Sequence, residues 1–130
     1  MELEKVKTAK GVYWHDSSAK ITYAVGKRNT SHKIEDGIES YIAIQKVNNG
    51  KVYPLLIDTR ETKKIDKACR DYYLSNAYAS IYAACAIIVE NPVKRLLGNL
   101  SVRISRPINP TLFFSNKEKA EEWLTTYNTR

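Results

Sequence analysis

Val52-Tyr53-Pro54-Leu55-Leu56-Ile57-Asp58 is the stretch on which the fold turns. Its Leu-Leu-Ile run has no polar residue to turn toward water. It reads as a strand buried on both faces, the habit of a central strand in a parallel sheet. Pro54 stands near the start, where a missing N–H is tolerated. Ala83-Ala84-Cys85-Ala86-Ile87-Ile88-Val89 is a second continuous apolar run of the same kind. Between the two, Asp66 is placed as the N-cap of a helix carrying Cys69, Tyr72, Tyr73 and Ala77 inward. Strand, helix and strand in that order imply a right-handed crossover between parallel neighbours.

Upstream, Val12-Tyr13-Trp14-His15 is a β-prone run and Asp16-Ser17-Ser18 is turn chemistry. Lys20 to Val25 then alternates, with Ile21, Tyr23 and Val25 on one face, which predicts an antiparallel hairpin. Thr30 or Ser31 is expected to cap a helix over about 33–46 whose inward stripe is Ile34, Ile38, Tyr41 and Ile42. Asn48-Asn49-Gly50 ends it as a left-handed stop. Downstream, Asn91-Pro92 opens a helix with an apolar stripe of Val93, Leu96, Leu97, Leu100 and Ile104. Pro107 and Pro110 stop it, and Thr111-Leu112-Phe113-Phe114 is a last strand. Ser115-Asn116-Lys117-Glu118 reads as a capping box before a helix with Ala120, Trp123, Leu124 and Tyr127 on its apolar side. The expected order is β-β-α-β-α-β-α-β-α. This is an α/β domain with a mixed, mainly parallel sheet, an N-terminal hairpin and four helices packed mostly on one face.

The 130 residues form one domain, 1–130, since two would leave each half short of a core. Lys and Arg number 21 against 14 Asp and Glu, a net charge of +7. The excess raises the question of nucleic acid or an anionic surface. The signs are interspersed except over 91–116, which holds Lys94, Arg95, Arg103 and Arg106 and no acid. A solvated face is the plainer meaning of such a run, and a binding patch the sharper one. The longest apolar stretch falls far short of the roughly 20 residues that span a bilayer. Cys69 and Cys85 sit in no metal-ligand spacing and read as buried thiols. Met1-Glu2-Leu3-Glu4-Lys5 has no apolar leader, so the cytoplasm is the expected compartment.

The strand Tyr53-Pro54-Leu55-Leu56-Ile57-Asp58 is followed by Asp66-Lys67-Ala68-Cys69-Arg70-Asp71-Tyr72-Tyr73, then by Asn91-Pro92-Val93-Lys94-Arg95-Leu96-Leu97-Gly98-Asn99. The series closes on Pro110-Thr111-Leu112-Phe113-Phe114-Ser115-Asn116-Lys117-Glu118-Lys119-Ala120. In this the chain resembles the SpoIIAA-like (STAS-like) superfamily, and within it the small bacterial proteins of unknown function. The resemblance implies that fold and a scaffold that binds partners. In its anti-sigma-factor antagonists a serine at the start of the helix after the third strand is phosphorylated and decides whether a kinase is bound. The matching stretch here, Thr62-Lys63-Lys64-Ile65-Asp66-Lys67-Ala68, has no serine, so the phosphoswitch does not carry over.

Ligands of open parallel sheets bind outside the carboxyl ends of the strands. That edge is expected to gather Asp58, Arg60, Asp66, Asn91, Lys94 and Arg95, beside two helix N-termini that favour anions. The plainer reading is that Asp66 and Asn91 cap and that Asp58 pairs with Arg60. Tyr13, Trp14 and Tyr23 of the hairpin form a candidate interface, because helices stacked on one side would leave one hairpin face bare. His15 and His32 are expected in solvent. No GxSxG, HExxH, P-loop or GxGxxG occurs, and the acidic cluster a phosphorelay receiver needs for Mg²⁺ is missing from the first strand. No catalytic residue, metal ligand or cofactor is therefore assigned, and the chain is read as no enzyme. The leading function is a regulatory or interaction module acting as a homodimer with an unidentified protein partner. One alternative is a small anionic or lipid ligand at the strand-end edge. Another is nucleic acid on the basic 91–116 segment, which no RNP-like, KH or zinc-knuckle pattern supports.

Overall fold

The computed structural model describes residues 4–128; residues 1–3 and 129–130 of the expected domain lie outside the described residues. A six-stranded sheet has the order β1-β2-β3-β5-β7-β8. Its strands are β1 (Lys5–Lys7), β2 (Gly11–Asp16), β3 (Ile21–Gly26), β5 (Tyr53–Asp58), β7 (Tyr82–Ile88) and β8 (Thr111–Phe114). The first two pairings are antiparallel and the remaining three parallel. A separate parallel pair joins β4 (Ser31–His32) to β6 (Lys64–Ile65). The helices are α1 (Ile34–Val47), α2 (Lys67–Tyr73), α3 (Asn76–Ala79), α4 (Pro92–Ser105) and α5 (Lys117–Thr125).

The Leu-Leu-Ile run lies at the centre, as its composition demands. Leu55 pairs with Thr22 on one side and Cys85 on the other, while Leu56 pairs with Tyr23 and Ala86. Because successive side chains alternate, the sheet divides its apolar residues between two cores. Tyr13, Ala24, Leu55 and Cys85 pack with Ala43 and Ile44 of α1 and Tyr78 of α3. Ile21, Tyr23, Leu56, Ala86 and Ile88 pack with Ala120 and Leu124 of α5. The helices α1 to α4 thus occupy one face and α5 alone covers the other.

Several expectations are corrected. The helical segment after Asp66 breaks at Leu74 and Ser75 into α2 and α3, the second capped by Ser75. Ser31 is a strand residue rather than a cap; α1 begins after Lys33, whose N–H donates to Asp36 Oδ2 at 2.9 Å. Asn116, not Ser115, caps α5, accepting from the Lys119 N–H at 2.9 Å. The larger correction concerns helix faces. The buried residues of α1 are Gly37, Ser40, Ala43 and Ile44, whereas Ile34, Ile38 and Ile42 face solvent. In α4 no residue is buried. The small residues let α1 lie close to its neighbours: a Cβ on Gly37 would come within 3.0 Å of the Tyr72 ring and 3.3 Å of Cys69 Sγ.

Candidate functional site

α4 owes its place to two residues. A Cβ on Gly98 would come within 2.4 Å of the Phe113 ring, so only glycine lets the helix seat there. Next to it, the Asn99 side chain accepts from the Phe113 N–H at 2.7 Å and donates to the Phe113 carbonyl at 3.2 Å. β8 is an edge strand, and its outward backbone groups at Phe113 are satisfied by this amide. With Gly98, Asn99 and Val102 turned inward, the helical repeat carries Val93, Leu96, Leu97, Leu100 and Ile104 outward. Their exposures run from 53% to 76%, which makes this amphipathic helix apolar on its solvent side. α1 repeats the inversion with Ile34, Ile38 and Ile42 at 38% to 60%.

The two stripes differ in charge. Glu35 and Glu39 follow the α1 stripe one residue behind Ile34 and Ile38, with Lys46 in the last turn. α4 carries Lys94, Arg95 and Arg103 and no acid. Between α4 and the α2–α3 pair the sheet is left open as a groove of about 250 Å³. A smaller cavity of about 30 Å³ lies under β3, β5 and α1, beside His32 and Asp58.

The strand-end residues are present but engaged. Asp58 accepts from the Arg60 Nε–H at 3.0 Å and from Nη2 at 2.7 Å. Burial acts to raise the Asp58 carboxyl, but the Arg60 hydrogen bonds and the charges of Arg60 and Lys117 outweigh it and hold it below the usual carboxylate range. Asp66 Oδ1 accepts from the Cys69 N–H, and Asn91 Oδ1 from the Lys94 N–H, each at 2.9 Å. The Lys94 ammonium pairs with Glu90 at 2.9 Å, and Arg95 is exposed. Five of the six residues therefore act as caps or local ion pairs, and Arg95 alone stands in solvent. Asp58 and Arg60 feel the charges of Lys117 and Glu118 on α5, whereas Asp66 and Asp36 of α1 both act on Cys69 on the opposite face of the sheet.

The hairpin aromatics are not a bare face. Tyr13 and Tyr23 are each 5% exposed, Tyr13 beneath α1 and Tyr23 beneath α5. Trp14, half-buried, stacks on Tyr23 with centroids 5.1 Å apart and carries the Lys5 ammonium over its ring. The Tyr23 hydroxyl donates to Glu121. Helices crowding one side would leave this face bare, but α5 crosses to the other and covers it. The histidines are also drawn in. His32 is buried, and His15 lies against the Tyr53 ring, tilted by 33° with centroids 4.1 Å apart. Burial pushes the Cys69 thiol up and the Cys85 thiol up to about 12, which suits inert core groups. Among the described residues no group of three or more His, Cys, Asp or Glu is placed to hold a metal, and no helix is long and apolar enough to cross a membrane.

A mixed sheet with this parallel order, four helices over one face and a closing helix on the other defines the class: a SpoIIAA-like α/β domain. A crystal structure from Shewanella loihica PV-4, an uncharacterized protein of the DUF3478 family with a SpoIIAA-like fold, is similar to it at a TM-score of 0.55. The two share 18% identity over 95% of this chain and 92% of that one, a likeness of fold alone. More particularly, the chain belongs to the family described as a domain of unknown function, DUF7793, whose model matches residues 13–128. No curated protein matches the sequence.

Proposed function

We propose that this protein is a non-enzymatic interaction module that works as a homodimer, joined through its helical layer rather than its hairpin. The observation that carries the reading is the pair of outward apolar stripes on α1 and α4. They hold eight of the eleven large hydrophobic side chains exposed among the described residues. Aliphatic side chains gathered in stripes on two helices of one face mark an interaction surface, whereas singly scattered ones would not. The stripes also select the partner. Arg95, Arg103 and Arg106, with no acid within α4 itself, oppose its pairing with another α4. The α1 stripe, edged by Glu35 and Glu39, complements it. Both helices lead from one parallel strand to the next and so run in the same direction. A two-fold axis along that direction sets α1 of each protomer against α4 of the other, a self-complementary contact made twice.

The test is the mass in solution. Light scattering at about 100 µM, where a standard interface is saturated, is expected to give twice the 14.9 kDa chain mass. Leu97→Glu with Leu100→Glu is expected to give a folded monomer. A wild-type monomer at that concentration, or an undisturbed dimer in the double variant, would refute the reading.

A further inference from the structure

We propose that the groove between α2–α3 and α4 is a binding site for a monocarboxylate with a short unbranched apolar tail, the tail lying on the sheet and the carboxylate on Arg70 at the rim. The inference rests on the groove and not on the dimer.

Three observations carry it. First, central parallel strands are ordinarily covered on both faces. Here Ile57 of β5 and Ile87 of β7 remain only half-buried, because α4 sits against the outer strand β8 and leaves the middle of the sheet open. Second, the walls of the groove are apolar. Cys85 lies buried in the floor, while Phe113 and Val102 line the α4 side. Third, the lining contains one charged residue, Arg70, and no acid. Among the described residues Arg70 has no carboxylate within ion-pair distance, unlike Arg60, Lys67 and Lys94. A guanidinium presents paired N–H donors that match a carboxylate. A single cation fits a single negative charge better than a phosphate dianion. A volume near 250 Å³ is just under the usual range of ligand pockets, which begins at about 300 Å³, and so calls for a short tail.

Calorimetry on the full chain with hexanoate, octanoate, decanoate and tetradecanoate, each below its micelle threshold, tests this. Each added methylene is expected to tighten binding about fourfold while it is buried, and the gain is expected to stop once the groove is full. Decanol and decyltrimethylammonium are expected to bind at least about tenfold more weakly than decanoate, because a charge-assisted hydrogen bond is missing. Arg70→Glu, at an exposed position, is expected to abolish that preference. Val102→Trp, which fills the groove, is expected to abolish binding, while Leu97→Glu with Leu100→Glu leaves it intact because neither leucine lines the groove. The proposal is overturned if decanoate does not bind the wild-type protein. It is equally overturned if Val102→Trp folds and binds unchanged, which would put the tail on the outer stripe. Should Val102→Trp fail to fold, Arg70→Glu decides alone: an unaltered preference for decanoate over decanol refutes the assignment.

Discussion

Two threonine hydroxyls fix the state of both histidines. Thr30 Oγ1 donates its proton to the Lys27 carbonyl at 2.7 Å, so its contact with His32 Nε2 at 3.0 Å requires a proton on that nitrogen. Thr22 Oγ1 donates to Asn48 Oδ1 at 2.6 Å and in the same way calls for the proton on His15 Nδ1, 3.0 Å away. Burial lowers both imidazoles below 6.5 and outweighs the nearby Asp16 and Asp36 charges. Well above about pH 6.5 both are neutral in the folded and unfolded chains alike. Below it the unfolded chain binds protons that the folded chain refuses, so stability falls as the pH drops. Urea midpoints are expected to be flat above about pH 7 and to decline toward about pH 5. A flat profile across that window would contradict the burial of the two rings. Nitrogen NMR is expected to show the Nε2–H tautomer for His32 and the Nδ1–H tautomer for His15. Gly98 supplies the second prediction at this scale. Alanine would improve helix propensity by about 1 kcal/mol, but its methyl collides with Phe113. Overpacking wins, and Gly98→Ala is expected to cost about 1–3 kcal/mol in urea unfolding.

The strands were legible because their signal is compositional. Leu55 and Leu56, adjacent and 0% and 1% exposed, can be buried together only in a strand covered on both faces. The helices were legible in place and type, and α2 and α5 in orientation too, with Cys69, Ala120 and Leu124 turned inward as read, but α1 and α4 were not. A stripe such as Ile34, Ile38 and Ile42 states that one side is apolar, and periodicity is silent on which side the sheet lies. What turned α1 over is the opposite row of Gly37, Ser40 and Ala43, whose small side chains allow close approach; in α4 Gly98 does the same. Short elements escaped for the opposite reason, since β4 and β6 have two residues each and hold no pattern. The caps Asp66 and Asn91 were readable from residue type, and they work as caps. The outward faces have a consequence for stability. Leu124→Ala in α5 removes a fully buried side chain and is expected to cost about 2–5 kcal/mol. Leu100→Ala in α4, at 53% exposure, is expected to cost the isolated subunit well under that. Equal losses in a thermal-denaturation comparison at low protein concentration would mean that α4 packs inward in solution.

For the whole molecule, the acidic α1 stripe and the basic α4 stripe lie on one face of the sheet, α1 over β1 to β3 and α4 over β8. In the proposed dimer each stripe meets its complement across the two-fold axis, a contact that closes and does not propagate. Charge reversal therefore has a defined outcome. Glu35→Lys with Glu39→Lys is expected to weaken association by about tenfold or more, since like charges then meet at both copies of the contact. Adding Lys94→Glu and Arg95→Glu to the same chain is expected to restore it. Sedimentation of the three proteins checks this; failure of the fourfold variant to recover would exclude the α1-to-α4 pairing even if the protein is dimeric.

The amide of Asn99 has a bearing on how the chain can safely be shortened. It occupies the outward N–H and carbonyl of Phe113, the groups on which a stray strand would otherwise template. A truncation that deletes α4 to dispose of its leucines would strip that guard from a four-residue aromatic and aliphatic edge, Thr111-Leu112-Phe113-Phe114. Such a fragment is set to form fibrils or inclusion bodies by strand-to-strand growth. Its insolubility would then report an unguarded margin of the sheet and reveal nothing about the helix that was removed.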